Sequence, residues 1–469
     1  MVNPFTISGS DRLLPRYWID QSATASILPS IDASAGGPES NDQTMKHLDC
    51  RHCGSPLQQS VIDLGHQPPS NAFLSADQLD QAEITYPLKV FLCTSCWLMQ
   101  LPAHASANDL FSADYVYLSS ISTSWCQHAD RYVEAAVRRL GLGTHSMVVE
   151  LASNDGYLLQ YVQKKGIPCL GIEPTHSTAK LAQARGIPTI ESFFGLRLAL
   201  DLVGKDAPVP GGADLVVANN VLAHVPDIND FLAGVAAVLK PTGQASIEFP
   251  HLLRLLVGNQ FDTIYHEHYS YLSLRVLQRM ALRAGLSAVD VEELPTHGGS
   301  LRVWLARSDA INTGLFSPGA DASARLQRVL AAEQTAGLEN LATYHTFQAR
   351  AEAAKHGLLA FLLEAHRQGR QVCGYGAAAK GNTLLNYAGV RADLLSCVAD
   401  KAPSKIGKYL PASHIPVLSP AELASLNPDA LLVLPWNIAA EVQHDWRQAE
   451  WGDQPFYCAI PELHRLSLN

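Results

Sequence analysis

Between residues 146 and 250 short apolar runs, each stopped by Gly, Asn or Pro, alternate with amphipathic stretches. "HSMVVELASNDG", "IPCLGIEPT", "ADLVVANNVLAHVP" and "GQASIEFP" read as four buried strands, since short apolar runs closed by turn formers suit strands covered on both faces. "YLLQYVQKKG", "HSTAKLAQARG" and "INDFLAGVAAVLKPTG" carry helical spacing between them. Strands separated in this way predict a doubly wound parallel sheet. From 320 to 368 the pattern is helical, and a second αβ unit follows: "RQVCGYGAAAKGNTLLNYAG" reads as strand, Gly-rich turn and helix. "LLSCVADK", "IPVLS" and "DALLVLPW" supply further short strands.

Residues 1–45 hold Ser, Asp, Gly and Pro without sustained periodicity, which predicts a mostly disordered extension or a start codon placed too early. The expected organisation is α/β: an extension at 1–45, a small cysteine-bearing domain at 46–110, and αβ domains at 111–310 and 311–469.

Composition narrows the setting. The chain of 469 residues is 47% apolar, yet no run approaches the roughly 18 apolar residues of a membrane span. Its first residues, "MVNPFTISGSDRLLPRYW", are polar and interrupted, unlike a signal peptide. A net charge of −10 and a pI near 6.0 speak against affinity for nucleic-acid backbones. A soluble cytoplasmic protein with neither membrane nor nucleic acid as partner is expected. Apolar helix faces suit a core or an interface equally, so oligomeric state stays open.

Nine cysteines in such a chain do not make a disulfide framework. Cys126, Cys169, Cys373, Cys397 and Cys458 are scattered singly, as small buried side chains usually are. The other four form two C-x-x-C units, "CRHC" at 50–53 and "CTSC" at 93–96, separated by 39 residues. Two such knuckles complete a tetrahedral thiolate site, so Cys50, Cys53, Cys93 and Cys96 are expected to hold a closed structural zinc ion, with His52 outside the ligand set. A pair of redox dithiols is the competing reading.

In the first αβ unit Glu150 ends an apolar strand, and the turn after it carries Ser153, Asn154, Asp155 and Gly156. Such a turn lets a ligand approach the backbone N–H groups of a helix start. Glu173 ends the next strand 17 residues past Gly156, where a carboxylate can accept from the two hydroxyls of an adenosine ribose. Asn219, Asn220 and His224 end a later strand and can line the same crevice. NAD is the alternative ligand there, although the turn lacks G-x-G-x-x-G.

"FDTIYHEHYSYLS", 261–273, packs Tyr265, Tyr269, Tyr271, two histidines and a glutamate into seven positions. A metalloprotease helix needs histidines at i and i+4, and a zinc deaminase needs H-x-E with P-C-x-x-C; neither is present. Core filling and proton transfer remain, the latter because histidine suits a base near neutral pH. In a strictly extended chain His268 and Glu267 would face opposite ways, so a turn is expected between them. Further on, "CGYGAAAKGN" satisfies G-x-G-x-x-A with Asp400 about 20 residues later, a dinucleotide pattern when read alone. Lys380 and Asn382 open the following helix, where N–H groups favour anions.

The order of two C-x-x-C knuckles, "ELASNDG", "GIEP", "NNVLAHVPD", "FDTIYHEHYSYLS", "HGGSLR" and "GYGAAAKGNTLLN" resembles the zinc-containing sugar C-methyltransferases, over residues 46–469. The resemblance implies a Rossmann-like class I methyltransferase domain, a second Rossmann-like C-terminal domain, and S-adenosylmethionine as cofactor beside the zinc. It further implies methyl transfer to a carbon beside the keto group of a nucleotide-linked deoxysugar, at C-3 of a 4-keto sugar. His268 would be the base, assisted by Glu267 and Tyr265. The donor would be held by Glu150, Ala152, Asn154, Gly156, Glu173, Asn219 and His224. The sugar nucleotide would meet Tyr117 (or Tyr115), His297, Arg302, Lys380 and Asn382, and the "GYGAAAKGN" turn would face its diphosphate or sugar end. Ala152 departs from the family's E-x-G-S-N-D-G, and its methyl would crowd the methionine end of the donor. A non-sugar acceptor, an NAD-dependent oxidoreductase and a non-catalytic zinc-ribbon adaptor are the other readings.

Overall fold

The computed structural model describes residues 48–105 and 118–467. The extension expected at 1–45 and the tyrosines Tyr115 and Tyr117 lie outside the described residues. In chain order the strands are β1 (Gln59–Gln67), β2 (Tyr86–Leu92), β3 (Met99–Gln100), β4 (Val148–Leu151), β5 (Cys169–Ile172), β6 (Thr189–Ile190), β7 (Ala213–Asn219) and β8 (Leu239–Pro250). They continue with β9 (Ser270–Tyr271), β10 (Leu286–Leu294), β11 (Ser300–Arg307), β12 (Val372–Tyr375), β13 (Val398–Ala399), β14 (Val417–Leu418), β15 (Ala430–Val433), β16 (Phe456–Cys458) and β17 (His464–Arg465). None of the described helices is long and apolar enough to cross a membrane.

Three sheets result, in the orders β1-β2-β3-β9, β10-β11-β8-β7-β4-β5-β6 and β14-β13-β12-β15-β16-β17. The second is parallel from β8 to β6, with β10 and β11 added antiparallel. The four strands expected from apolar runs are its β4, β5, β7 and β8. Helices cover both faces, which is why "DLVVAN" has only one position that is not fully buried. The chain leaves β4 toward β5 and β6 but leaves β7 toward β8, so the direction of winding reverses between β4 and β7. In such sheets ligands gather beyond the strand ends at that reversal.

Two expectations shift. The helix read through "INDFLAGVAAVLKPTG" stops at Val238, and "LKPTG" opens β8, because Pro241 cannot donate within a helix. The helical stretch at 320–368 is two helices, Ala320–Thr335 and Phe347–Arg367, interrupted at Gly337, whose φ is +72°. A larger surprise is β9: Ser270 and Tyr271, from the histidine-rich segment, pair with β3 of the cysteine-bearing part. That segment therefore belongs to two sheets' surroundings at once.

Candidate functional site

The two cysteine knuckles are built alike. Gly54 N–H donates to the Cys50 carbonyl at 2.9 Å, and Trp97 N–H to the Cys93 carbonyl at 2.8 Å. Both turn residues have positive φ, +74° at Gly54 and +66° at Trp97. Cys50 and Cys96 sulfurs lie 3.5 Å apart, as do those of Cys53 and Cys93, and all four fall within 4.8 Å of one another. Tetrahedral Zn–S bonds of about 2.3 Å place sulfurs roughly 3.8 Å apart, so the set fits a closed zinc site. His52 stays outside it: its Nδ1–H donates to Asn229 Oδ1 at 2.8 Å. The knuckles dock on the helix Leu274–Arg283, with Arg279 donating to the Cys96 carbonyl and Arg283 to the His52 carbonyl.

At the reversal between β4 and β7 the turn after Leu151 carries two left-handed residues, Ala152 (φ +54°) and Asn154 (φ +50°), before Gly156 (φ +77°). A Cβ on Gly156 would stand 2.3 Å from Ile187 Cδ1. Glu173 fixes the turn: its two carboxylate oxygens accept from Asn154 N–H and Thr175 N–H, each at 2.9 Å. Ser119 N–H donates to Asn154 Oδ1 at 2.9 Å, and Ser120 Oγ donates to Asp155. Glu150 is buried with Oε2 unpartnered, and desolvation, with Glu173 and Asp155 nearby, pushes its carboxyl well above the usual range. Burial also raises Glu173. Asn219, at the end of β7, has neither side-chain polar atom satisfied among the described residues. Buried polar atoms without partners at a sheet's ligand-binding end suit a polar donor such as S-adenosylmethionine.

The histidine-rich segment turns where a turn was expected: His268 N–H donates to the Tyr265 carbonyl at 2.9 Å. This sends His266 toward β2, where its Nε2–H donates to the Tyr86 carbonyl at 3.2 Å. His268 takes the other side. Its Nδ1–H donates to the Thr263 carbonyl at 2.8 Å, which leaves Nε2 as the basic nitrogen. The Tyr265 ring lies 4.0 Å from the His268 ring and the His224 ring 4.6 Å, centroid to centroid. Burial, and next the neighbouring His224, holds His268 well below its ordinary pKa. His224 and His297 are each pushed down to about 4 by burial first. His224, expected at the donor, sits against His268, and its ring bonds the backbone of Glu267. His297 (φ +52°) meets Asn220 at 3.3 Å and the Trp125 ring at 5.2 Å.

Across from these groups lies the C-terminal domain. Lys380 opens the helix Ala379–Ala388, donates to Asn437 at 2.6 Å and covers the Trp436 ring at 4.6 Å. Trp436 Nε1–H donates at 2.7 Å to Asp262, whose carboxyl is pushed up to about 6 by burial. Trp436 also packs on Gly298 so closely that a Cβ there would come within 2.3 Å of it.

Two expected substrate contacts are placed differently. Arg302 is buried; its guanidinium bonds Glu248 at 2.7 Å and Glu292 at 3.3 Å and covers the Tyr132 ring. Glu248 also takes His128 and Thr296, so the Arg302 guanidinium sits within a buried carboxylate network. Asn382 is buried and donates to the Ser70 carbonyl at 2.6 Å. Asp400 binds Lys405 and caps Ala402 N–H. Asn71 was missed altogether: its Nδ2 donates to Glu267 Oε1 at 2.6 Å. Nothing local in "PPSNAF" signals that contact, beyond a turn-forming Pro-Ser-Asn.

A zinc-type knuckle domain, a doubly wound sheet with a polar turn after β4 and a second Rossmann-like domain define an S-adenosylmethionine-dependent methyltransferase. Residues 50–111 match the family description "Putative zinc binding domain", 125–291 "Methyltransferase domain" and 295–461 "C-methyltransferase C-terminal domain". The chain is 34% identical over 419 residues to C-methyltransferase NovU of Streptomyces niveus, covering 89% of this chain and 97% of that protein. It belongs to the zinc-containing, S-adenosylmethionine-dependent C-methyltransferase family, and its cofactors are S-adenosylmethionine and structural zinc. Among solved structures, magnesium protoporphyrin IX methyltransferase of Synechocystis PCC 6803 is 15% identical with a TM-score of 0.31, covering 40% of this chain and 82% of that one. A Mesorhizobium loti methyltransferase is 17% identical, TM-score 0.31, over 39% of this chain and 100% of that one.

Proposed function

We propose that the enzyme methylates the carbon next to the keto group of a nucleotide-linked deoxysugar, C-3 of a 4-keto sugar, with His268 as the base. The single observation that carries this reading is the tautomer of His268: the Nδ1–H bond to Thr263 reserves Nε2 for taking a proton. Removing the α-proton makes the carbon a nucleophile, and the negative charge moves to the ketone oxygen. Tyr265, beside His268, and Glu267 would steady that enolate and orient the sugar. S-adenosylmethionine supplies the electrophilic methyl; as the carbon–carbon bond forms, the carbon–sulfur bond breaks and S-adenosylhomocysteine leaves. The donor would lie along Ala152–Gly156, with Glu150, Glu173 and Asn219 around it.

Lys380 and the start of its helix would take the diphosphate or sugar end, and His297 would border the acceptor. The C-methyltransferase relative supports a carbon acceptor and the family's resemblance a sugar; the cationic helix start near His268 and His297 supports a nucleotide-linked one. The three domains would be 46–110, 111–310 and 311–469. The experiment is α-proton exchange: in deuterium oxide with S-adenosylhomocysteine bound, the enzyme should deuterate a thymidine diphosphate-linked 4-keto-deoxysugar. No exchange would remove the carbon-acceptor reading. An oxygen or nitrogen acceptor would give methyl transfer without exchange.

A further inference from the structure

The loop Pro68–Leu74, between β1 and β2, leaves the cysteine-bearing part and runs between two partners. Ala72 N–H donates to the Pro69 carbonyl at 3.0 Å, closing a turn that presents Asn71. On one side Asn71 Nδ2 donates to Glu267 Oε1 at 2.6 Å. On the other, Asn382 Nδ2 donates to the Ser70 carbonyl at 2.6 Å, from the helix that carries Lys380 in its first turn. The loop's end is fixed by paired backbone bonds between Leu74 and Tyr409, of 2.9 and 2.8 Å. Lys405, which covers the Phe73 ring at 5.6 Å, also donates to the Ala377 carbonyl in the Gly-rich turn. Thr383, next to Asn382, donates to the Ile264 carbonyl at 3.0 Å and so ties the same helix to the histidine-rich segment.

We propose that Asn71 is a positioning residue of the methyl-transfer site: it holds the Glu267 carboxylate and, through Ser70 and Asn382, locks it in register with the Lys380 helix. This rests on the function proposed above. The carboxylate follows directly on His266 in the turn that delivers His268, and its aim depends on what grips its outer oxygen. An amide donor does so without adding charge to a cluster that already holds several neutral histidines. The cysteine-bearing part therefore does more than fold around zinc; it supplies a side chain to the reaction centre.

The test measures α-proton exchange and methyl transfer on a thymidine diphosphate-linked 4-keto-deoxysugar for the wild type, Asn71→Ala, Asn71→Asp, Glu267→Gln and the double variant Asn71→Ala with Glu267→Gln. Zinc content and S-adenosylhomocysteine affinity, unchanged within about twofold, certify that each variant is folded. Asn71→Ala should lower kcat about 10- to 100-fold with little change in KM, as a misaimed catalytic group does. Asn71→Asp, the same shape with an acceptor for the donor, should lose at least as much. In the Glu267→Gln background, removing Asn71 should cost far less than it does alone. Wild-type rates in both Asn71 variants, or equal losses from Asn71→Ala in the wild-type and Glu267→Gln backgrounds, would overturn the proposal. Absence of exchange by the wild type would instead overturn the proposed reaction, whatever Asn71 does.

Discussion

The Nδ1–H of His268 donates to the carbonyl of Thr263, five residues earlier, at 2.8 Å. That one bond fixes which nitrogen is basic, and the burial around the ring fixes when it is basic. Replacing His268 with Asn should lower α-proton exchange by about 10²- to 10⁴-fold, the usual contribution of a general base. S-adenosylhomocysteine should still bind, because the donor turn belongs to other elements. Methyl transfer at the wild-type rate would remove His268 from the reaction.

The pH dependence follows from the direction of the same shift. A base whose folded pKa lies below 6.5 is already deprotonated at neutral pH, so its activity is present above that value and is lost as pH falls through the lower one. With saturating substrates, the exchange rate should be flat from about pH 8 to 7 and decline only below about 6.5. An acid limb centred above 7 would contradict a buried, neutral His268. The measurement is the exchange rate across that range, with donor binding followed in parallel.

Much of this was readable beforehand because its signals are local. The cysteine knuckles, the strand acid Glu150 and the turn through Gly156 each lie within a few residues, and backbone geometry alone relates their parts. The contacts that surround the histidine-rich segment are of another kind. Asn71 and Glu267 are 196 positions apart, and Ser70 and Asn382 are 312 apart. No periodicity links them; only the packed fold does. β9 is similarly hidden, since two residues carry no strand pattern and its partner β3 lies far back in the chain. Arg302 is a similar case: its expected place was beside the sugar nucleotide, and the carboxylates that surround it, Glu248 and Glu292, carry no local signal of the pairing.

Metal analysis of the purified protein should find one zinc ion per chain. Changing Cys96 to Ser should release it and lower the melting temperature, since a structural zinc site contributes directly to folding. The loss should reach beyond the knuckles, because Arg279 and Arg283 clasp their carbonyls from the helix Leu274–Arg283. Amide exchange should therefore quicken in that helix as well. Zinc retained by the variant would exclude Cys96 as a ligand.

Ala152 holds φ at +54° in the turn after β4, where an L side chain costs about 1–2 kcal/mol. Ala152→Gly removes that strain but adds roughly 0.5–1 kcal/mol of unfolded-chain entropy. Stability should thus stay level or rise by about 1 kcal/mol, and S-adenosylhomocysteine should bind as tightly or more tightly without the methyl. Gly156→Ala should do the opposite, because its Cβ would meet Ile187 at 2.3 Å in a backbone region with φ at +77°. Urea unfolding and calorimetric titration of both variants check the pair. A clear loss of stability in Ala152→Gly would show that the turn needs the methyl.

Arg302 separates a structural charge from a substrate-binding one. Its guanidinium lies between Glu248 and Glu292, and Glu248 is buried. Burial raises the Glu248 carboxyl, but His128 and Arg302 outweigh it and hold the group below its ordinary value, so it is a carboxylate that needs its cation. Arg302→Leu leaves that buried charge without its arginine and should cost about 3–5 kcal/mol of stability. Lys380→Ala, which loses only the Asn437 bond and the Trp436 contact, should cost far less stability than Arg302→Leu and raise KM for the sugar nucleotide, as expected of a cation at a helix start facing an anion. Denaturant unfolding together with steady-state kinetics distinguishes the two. If Arg302→Leu kept full stability and only KM rose, the arginine would be reading the substrate after all.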